Sequence, residues 1–127
     1  ENIISYIDIL LKAEKLHGLL LIGDAGLGKS QTILGYLTEK KAKFHYYNNY
    51  STALAFYNEL YNNRNNIIVL DDLVGLFQDI KGISLLKALL NTTEERIVRY
   101  ESSSEKLKVP SQFIFKGKLI ILLKEFK

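Results

Sequence analysis

Leu19-Leu20-Leu21-Ile22-Gly23-Asp24-Ala25-Gly26-Leu27-Gly28-Lys29-Ser30 joins four apolar residues to a glycine-rich loop. A short run that is apolar throughout fits a strand buried on both faces. Beyond the loop, Ile33, Leu34 and Leu37 mark one face of a helix over 29–39. Strand, glycine loop and helix, in that order, predict an α/β unit with the loop at the strand's carboxyl end.

The flanking sequence repeats the alternation. On the amino-terminal side, Ile3, Ile4, Ile7, Leu10 and Leu11 predict an amphipathic helix over 2–16, ending before Gly18. Downstream, Lys43–Tyr47 reads as a second strand. Ser51 is the expected N-cap of a helix over 52–61 whose inner face carries Ala53, Phe56, Tyr57 and Leu60. Asn62–Asn66 reads as a turn, and Ile67–Leu70 as a third apolar strand ended by Asp71 and Asp72. Leu85, Leu86, Leu89 and Leu90 predict a helix over 83–91. Arg96–Glu101 and Lys106–Val109 read as two short strands around the polar tip Ser102–Glu105, and Leu119–Leu123 as a final buried strand. Apolar strands alternating with helices predict a three-layer α/β/α sandwich with a mainly parallel sheet, a single domain over 1–127 with a β-hairpin before its last strand.

Composition narrows the classes of function. Hydrophobic residues make up 47% and charged residues 24% of the 127, the balance of an ordinary globular domain. No apolar run approaches the roughly 18–20 residues that cross a bilayer, so no membrane partner is expected. There is no cysteine, which excludes disulfides and thiolate metal sites and suits a reducing cytoplasm. His17 and His45 are too few and too far apart in sequence to suggest zinc. A net charge of +3 permits contact with nucleic acid without arguing for it, and Lys40, Lys41 and Lys43 read as the solvated end of a helix. The chain opens on Glu1, contains no methionine and carries its last strand almost to the terminus, so a piece of a longer protein is expected.

Gly23–Ser30 fits the pattern G-x-x-x-x-G-K-[S/T] through Gly23, Gly28, Lys29 and Ser30. A loop that aims several amides at phosphate oxygens needs positive φ, which glycine adopts at little cost. The helix behind it adds unpaired N–H groups and the positive end of its dipole, worth about 0.3–2 kcal/mol toward an anion. Lys29 outweighs the dipole, since one charge pair at 4 Å and an effective dielectric near 20 is worth about 4 kcal/mol before desolvation. Ser30 offers a hydroxyl to Mg²⁺. The expected ligand is therefore ATP with Mg²⁺, gripped by Gly23, Asp24, Ala25, Gly26, Leu27, Gly28, Lys29, Ser30 and Gln31.

The acid pair supplies the complement. Nothing in a buried strand calls for carboxylates at its end, whereas Asp71 there can hold Mg²⁺, usually through its waters. The pleat turns Asp72 the other way, where it would polarise an attacking water; its second reading is a cap for the next segment.

Together the two motifs resemble Walker A and Walker B of the additional-strand P-loop ATPases, above all the AAA+ class, over nearly the whole chain. The resemblance implies ATP hydrolysis, with Lys29 and Asp72 catalytic and Ser30 and Asp71 on the metal. Two departures stand out. The class usually has glutamate at Asp72, and a polar sensor residue, often asparagine, at the position near Lys124. Lys124 is the residue here that would reach phosphate. The lid domain and its sensor arginine, which the resemblance would place after the next strand, are absent from this sequence.

Among the arginines, Arg96 and Arg99 are candidates for donation to a neighbouring subunit, a role worth about 10³–10⁵ in rate; the alternative is a surface or hairpin role. The hairpin over 96–109, followed by Phe113-x-Phe115-x-Gly117-Lys118, resembles the pre-sensor hairpin of superfamily-three replicative helicases and related phage and plasmid ATPases. That resemblance implies a ring-shaped homo-oligomer, in a DNA-replication or helicase-type motor, gripping single-stranded DNA through Tyr100, Lys106 and Lys108. An ordinary edge hairpin is the other reading, and a non-catalytic nucleotide-binding switch or adaptor the other function.

Overall fold

The computed structural model describes residues 2–23, 28–48, 52–71, 74–91, 95–100 and 109–124. In chain order these form α1 (Asn2–Lys12), β1 (Gly18–Gly23), α2 (Lys29–Glu39), β2 (Phe44–Tyr47), α3 (Ala53–Asn62) and β3 (Ile67–Asp71). A 3₁₀ turn (Val74–Gln78) follows, then α4 (Ile80–Leu89), β4 (Ile97–Arg99), β5 (Gln112–Ile114) and β6 (Lys118–Lys124). Four strands make one parallel sheet in the order β1-β6-β3-β2, and β4 and β5 form a separate antiparallel pair.

The apolar runs of β3 and β6 supply both faces of this sheet. Ile67, Val69, Ile120 and Leu122 pack with Ile7 and Leu10 of α1 and Ile33 and Leu37 of α2. Their neighbours Ile68, Leu70, Leu119 and Ile121 pack on the other face with Phe56, Tyr57 and Leu60 of α3 and Leu85, Leu86 and Leu89 of α4. Period-2 alternation in two central strands thus feeds two cores, which is the expected three-layer α/β arrangement. Each fully buried Leu, Ile or Phe contributes about 1.5–3 kcal/mol. The two helices of one layer are also tied by a polar contact: the Tyr36 hydroxyl of α2 donates to Asp8 of α1 at 2.6 Å, while within α1 Lys12 reaches the same carboxylate at 3.1 Å. The Tyr36 hydrogen bond, with Lys12 second, holds the Asp8 carboxyl below its usual range.

Several boundaries differ from the sequence expectation, each for a physical reason. Helix α1 stops at Lys12 rather than residue 16, because Lys118 Nζ captures the carbonyls of Ala13 and Leu16, both at 2.7 Å, and draws the chain out of the helix. The cap of α3 is Thr52, whose hydroxyl accepts from Ala55 N at 3.0 Å; Ser51 lies outside the described residues. Helix α4 starts three residues early, at Ile80, since Asp79 caps it by accepting from Lys81 N at 3.0 Å. Leu90, expected on its inner face, is the C-cap and 40% exposed.

The hairpin correction is larger. β4 pairs with Gln112–Ile114, in the register Ile97↔Ile114, Val98↔Phe113, Arg99↔Gln112, and residues 106–108 of the expected partner strand 106–109 lie outside the described residues. Phe113 decides that register. It is buried against Tyr57 and Tyr61, with ring centroids 5.3 and 5.4 Å away, while Gln112 and Ile114 point outward. A one-residue slip would expose it.

Candidate phosphate- and metal-binding site

In the sheet register Gly23 pairs with Lys124, and Asp71 with Leu122. The glycine-loop strand, the acid-ended strand and the strand between them therefore finish close together, and open α/β sheets bind ligands beyond such ends.

Of the expected phosphate loop, Gly23 closes β1 and Gly28 is the N-cap of α2, while Asp24, Ala25, Gly26 and Leu27 lie outside the described residues. Gly28 has φ +73°, the left-handed conformation that disfavours any residue with a Cβ. Its carbonyl takes Thr32 N at 2.9 Å, the first bond of the helix. The N-cap Gly28 offers no side chain to the first-turn amides of α2, and such amides are what an anion at a helix start uses. Lys29 is the first helical residue, Ser30 the second and half-buried, and Gln31 is exposed.

Asp71 closes β3 two residues after Val69, on the face toward α2. There it meets a residue the sequence reading passed over. Tyr46 of β2 donates its hydroxyl to Asp71 Oδ2, and the side chains of Ser30 and Asn48 stand close enough to that hydroxyl to act on it. Burial pushes the Tyr46 phenol above its ordinary range, and the Asp71 contact adds to that; Ser30 and Asn48 act in the opposite direction. Ser30, expected on the metal, and Asp71, its expected partner, thus share one phenol oxygen, although they come from different elements.

The donor set fits a hard cation. Ser30 and Asp71 offer only oxygen, as magnesium prefers, and usual magnesium sites add substrate phosphates and waters to one or two carboxylates. Among the described residues no group of three or more His, Cys, Asp or Glu gathers into a self-sufficient metal cage. An ion here would depend on a bound phosphate.

Comparison with known proteins finds a distant relative. The chain is similar to a phage T4 protein described as an uncharacterized 36.7 kDa protein in the nrdC–mobD intergenic region, with 29% identity over 121 residues. The match covers 84% of this chain and 35% of the T4 protein. No protein-family model matches.

The remaining expected site residues scatter. Lys124 ends β6 beside Gly23 in the ladder, and Asp72 lies outside the described residues. Arg96 is not on the surface: it is 6% exposed, donates from Nη1 to the Leu89 carbonyl at 3.3 Å and stands 5.1 Å over the Phe115 ring. It satisfies a carbonyl at the end of α4, a common role for a cation at a helix C-terminus, and burial lowers its pKa. This chain therefore does not present Arg96 to a neighbour. Arg99 is exposed and donates to Gln112 Oε1 at 3.2 Å. Tyr100 is only half-exposed, 5.3 Å from the Tyr57 ring and under Lys81 Nζ at 4.9 Å. Lys106 and Lys108 lie outside the described residues.

Among the described residues, no helix is long and apolar enough to cross a membrane.

Proposed function

We propose that this chain is an ATP-binding, magnesium-dependent ATPase core of the AAA+-like, additional-strand P-loop class. One observation carries the reading: Ser30, one residue into α2, and Asp71, at the end of β3, meet through a single hydroxyl beside a helix start whose N-cap is a left-handed glycine. The sheet order supports the class, because β6 is interposed between the glycine-loop strand and the acid-ended strand.

In this reading the Gly28 turn and the first amides of α2 receive the phosphates, and Lys29 offsets their charge. Ser30 and Asp71 hold Mg²⁺, whose charge would stabilise that building up on the transferring phosphoryl group. Asp72 orients and deprotonates water, and Lys124 reaches the phosphates from β6. Arg99 is the arginine left for a neighbouring subunit. The β4–β5 pair, placed just before the last strand, supports a DNA-replication or helicase-type motor in which Tyr100, Lys106 and Lys108 meet single-stranded DNA. The seating of Tyr100 on Tyr57 moves the weight of that contact to the two lysines.

Phosphate release by the full-length protein tests this. Lys29→Ala is expected to lose ATP binding, whereas Asp72→Asn keeps binding and loses turnover. Single-stranded DNA is expected to stimulate hydrolysis, and neither binding nor stimulation would remove the motor. A second reading, a nucleotide-binding switch without turnover, is favoured by lysine at the end of β6 where the class carries a polar sensor. Tight binding with no released phosphate in the assembled oligomer would select it.

A further inference from the structure

We propose that Tyr46 is a positioning residue of the metal site, its hydroxyl fixing the orientation of Ser30 and Asp71 toward a divalent cation. This rests on the nucleotide reading above and adds a residue that no motif contains.

The geometry is specific to the hydroxyl. The Tyr46 ring packs partly buried against the core beneath α1 and α2, a place that phenylalanine would fill equally well. The hydroxyl is spent on polar partners from three places: Asp71 at the end of β3, Ser30 on α2 and Asn48 just past β2. A phenol donates one hydrogen bond and accepts others. Its proton goes to Asp71 Oδ2. With that proton engaged, Ser30 and Asn48, which stand at the same hydroxyl, are left to act as donors to its oxygen.

That pattern has a consequence for a cation. With its proton committed to Tyr46, Ser30 keeps its oxygen lone pairs for the ion. Asp71, with Oδ2 engaged, keeps Oδ1 for the ion. Without the phenol, the hydroxyl of Ser30 would be free to donate to Asp71 itself, so that the two ligands would satisfy each other. Outer-sphere partners that orient metal ligands typically contribute 10–100-fold in metal affinity.

The experiment compares wild type with Tyr46→Phe in the full-length protein. Mn²⁺ affinity is read by electron paramagnetic resonance in the presence of ATP, and ATP affinity by calorimetry in EDTA. Tyr46→Phe is expected to weaken Mn²⁺ binding about tenfold or more, with a wild-type melting profile and ATP affinity in EDTA within about twofold. In a Ser30→Ala background the same substitution is expected to cost less, because one of the groups it orients is gone. Unchanged or tighter Mn²⁺ binding in Tyr46→Phe, or losses that simply multiply in the double variant, would overturn the proposal while leaving the nucleotide reading in place. Absence of ATP uptake by the wild type, with or without metal, would instead overturn that reading and this proposal with it.

Discussion

The two ends of the central sheet are built in opposite ways. At the amino end, backbone meets backbone: the Arg64 carbonyl accepts from Lys116 N at 2.7 Å and Gly117 N at 2.9 Å, and Leu119 N donates to the His17 carbonyl at 2.9 Å. The charged Lys118 is spent on two main-chain carbonyls, with burial and nearby Arg96 lowering its pKa. At the carboxyl end, polar side chains from separate elements converge on one hydroxyl, and among the described residues nothing lies within 4 Å of a Cβ added at Gly28. The amino end spends its polar groups on joining elements. The carboxyl end gathers polar side chains around one hydroxyl, the arrangement that the proposed binding site requires.

The largest effect belongs to the amino end. A Cβ on Gly117 would lie 1.8 Å from the Asn66 carbonyl oxygen and 2.8 Å from its carbon, and backbone cannot step aside. Gly117→Ala is expected to cost about 3 kcal/mol or more, read from urea unfolding. A melt unchanged from wild type would deny that this approach is tight. Next, Lys118→Met removes two charge-assisted hydrogen bonds and is expected to cost about 2 kcal/mol, with nucleotide affinity unaltered. A loss of nucleotide binding without loss of stability would blur the division between the ends.

Tyr57, in the core between α3 and the β4–β5 pair, supplies an intermediate effect. Its hydroxyl donates to the Pro110 carbonyl at 2.5 Å, and burial pushes the phenol from 10.0 up to about 12. A raised folded-state pKa favours the protonated form, so this contribution is complete below pH 10 and is lost as pH rises toward 12. Between pH 9 and 11, wild type should lose about 1 kcal/mol more than Tyr57→Phe in denaturant titrations. Parallel pH profiles would contradict it.

Smallest in stability is Asp71→Asn. The amide oxygen still accepts from Tyr46, so unfolding should shift by less than about 0.5 kcal/mol, while magnesium-dependent nucleotide binding falls. A severe loss of stability would recast Asp71 as a structural acid.

Much of this was legible in the chain itself, for local reasons. The central strands β3 and β6 read as apolar runs because layers on both faces hide them, and Gly28 and Lys29 sat in a pattern whose conformational demand is local. β1, expected from the same kind of run to be buried on both faces, is instead an edge strand that leaves Leu20 53% and Ile22 60% exposed. Interactions between distant segments were less accessible. Lys106-Leu107-Lys108-Val109 alternates as a strand should, yet β4 pairs with the shorter Gln112–Ile114 because Phe113 finds an aromatic core contributed by α3. Arg96 looked like a surface cation because nothing beside it in sequence reveals the carbonyl of Leu89. Tyr46 was hidden within Phe44-His45-Tyr46-Tyr47, a run that reads as strand, and only the register Tyr46↔Val69 puts it on the same face as Asp71. Its available signal was parity: in parallel pairing, a residue opposite Val69 shares the face of the acid two positions on.

Isothermal titration of the folded, full-length protein with ATP and Mg²⁺ bears most directly on the claim that the carboxyl end of this sheet is a triphosphate site. The account predicts saturable heat at one site per chain, lost in Lys29→Ala and weakened when EDTA replaces magnesium. No heat of binding from wild-type protein, or equal heat from Lys29→Ala, would contradict it.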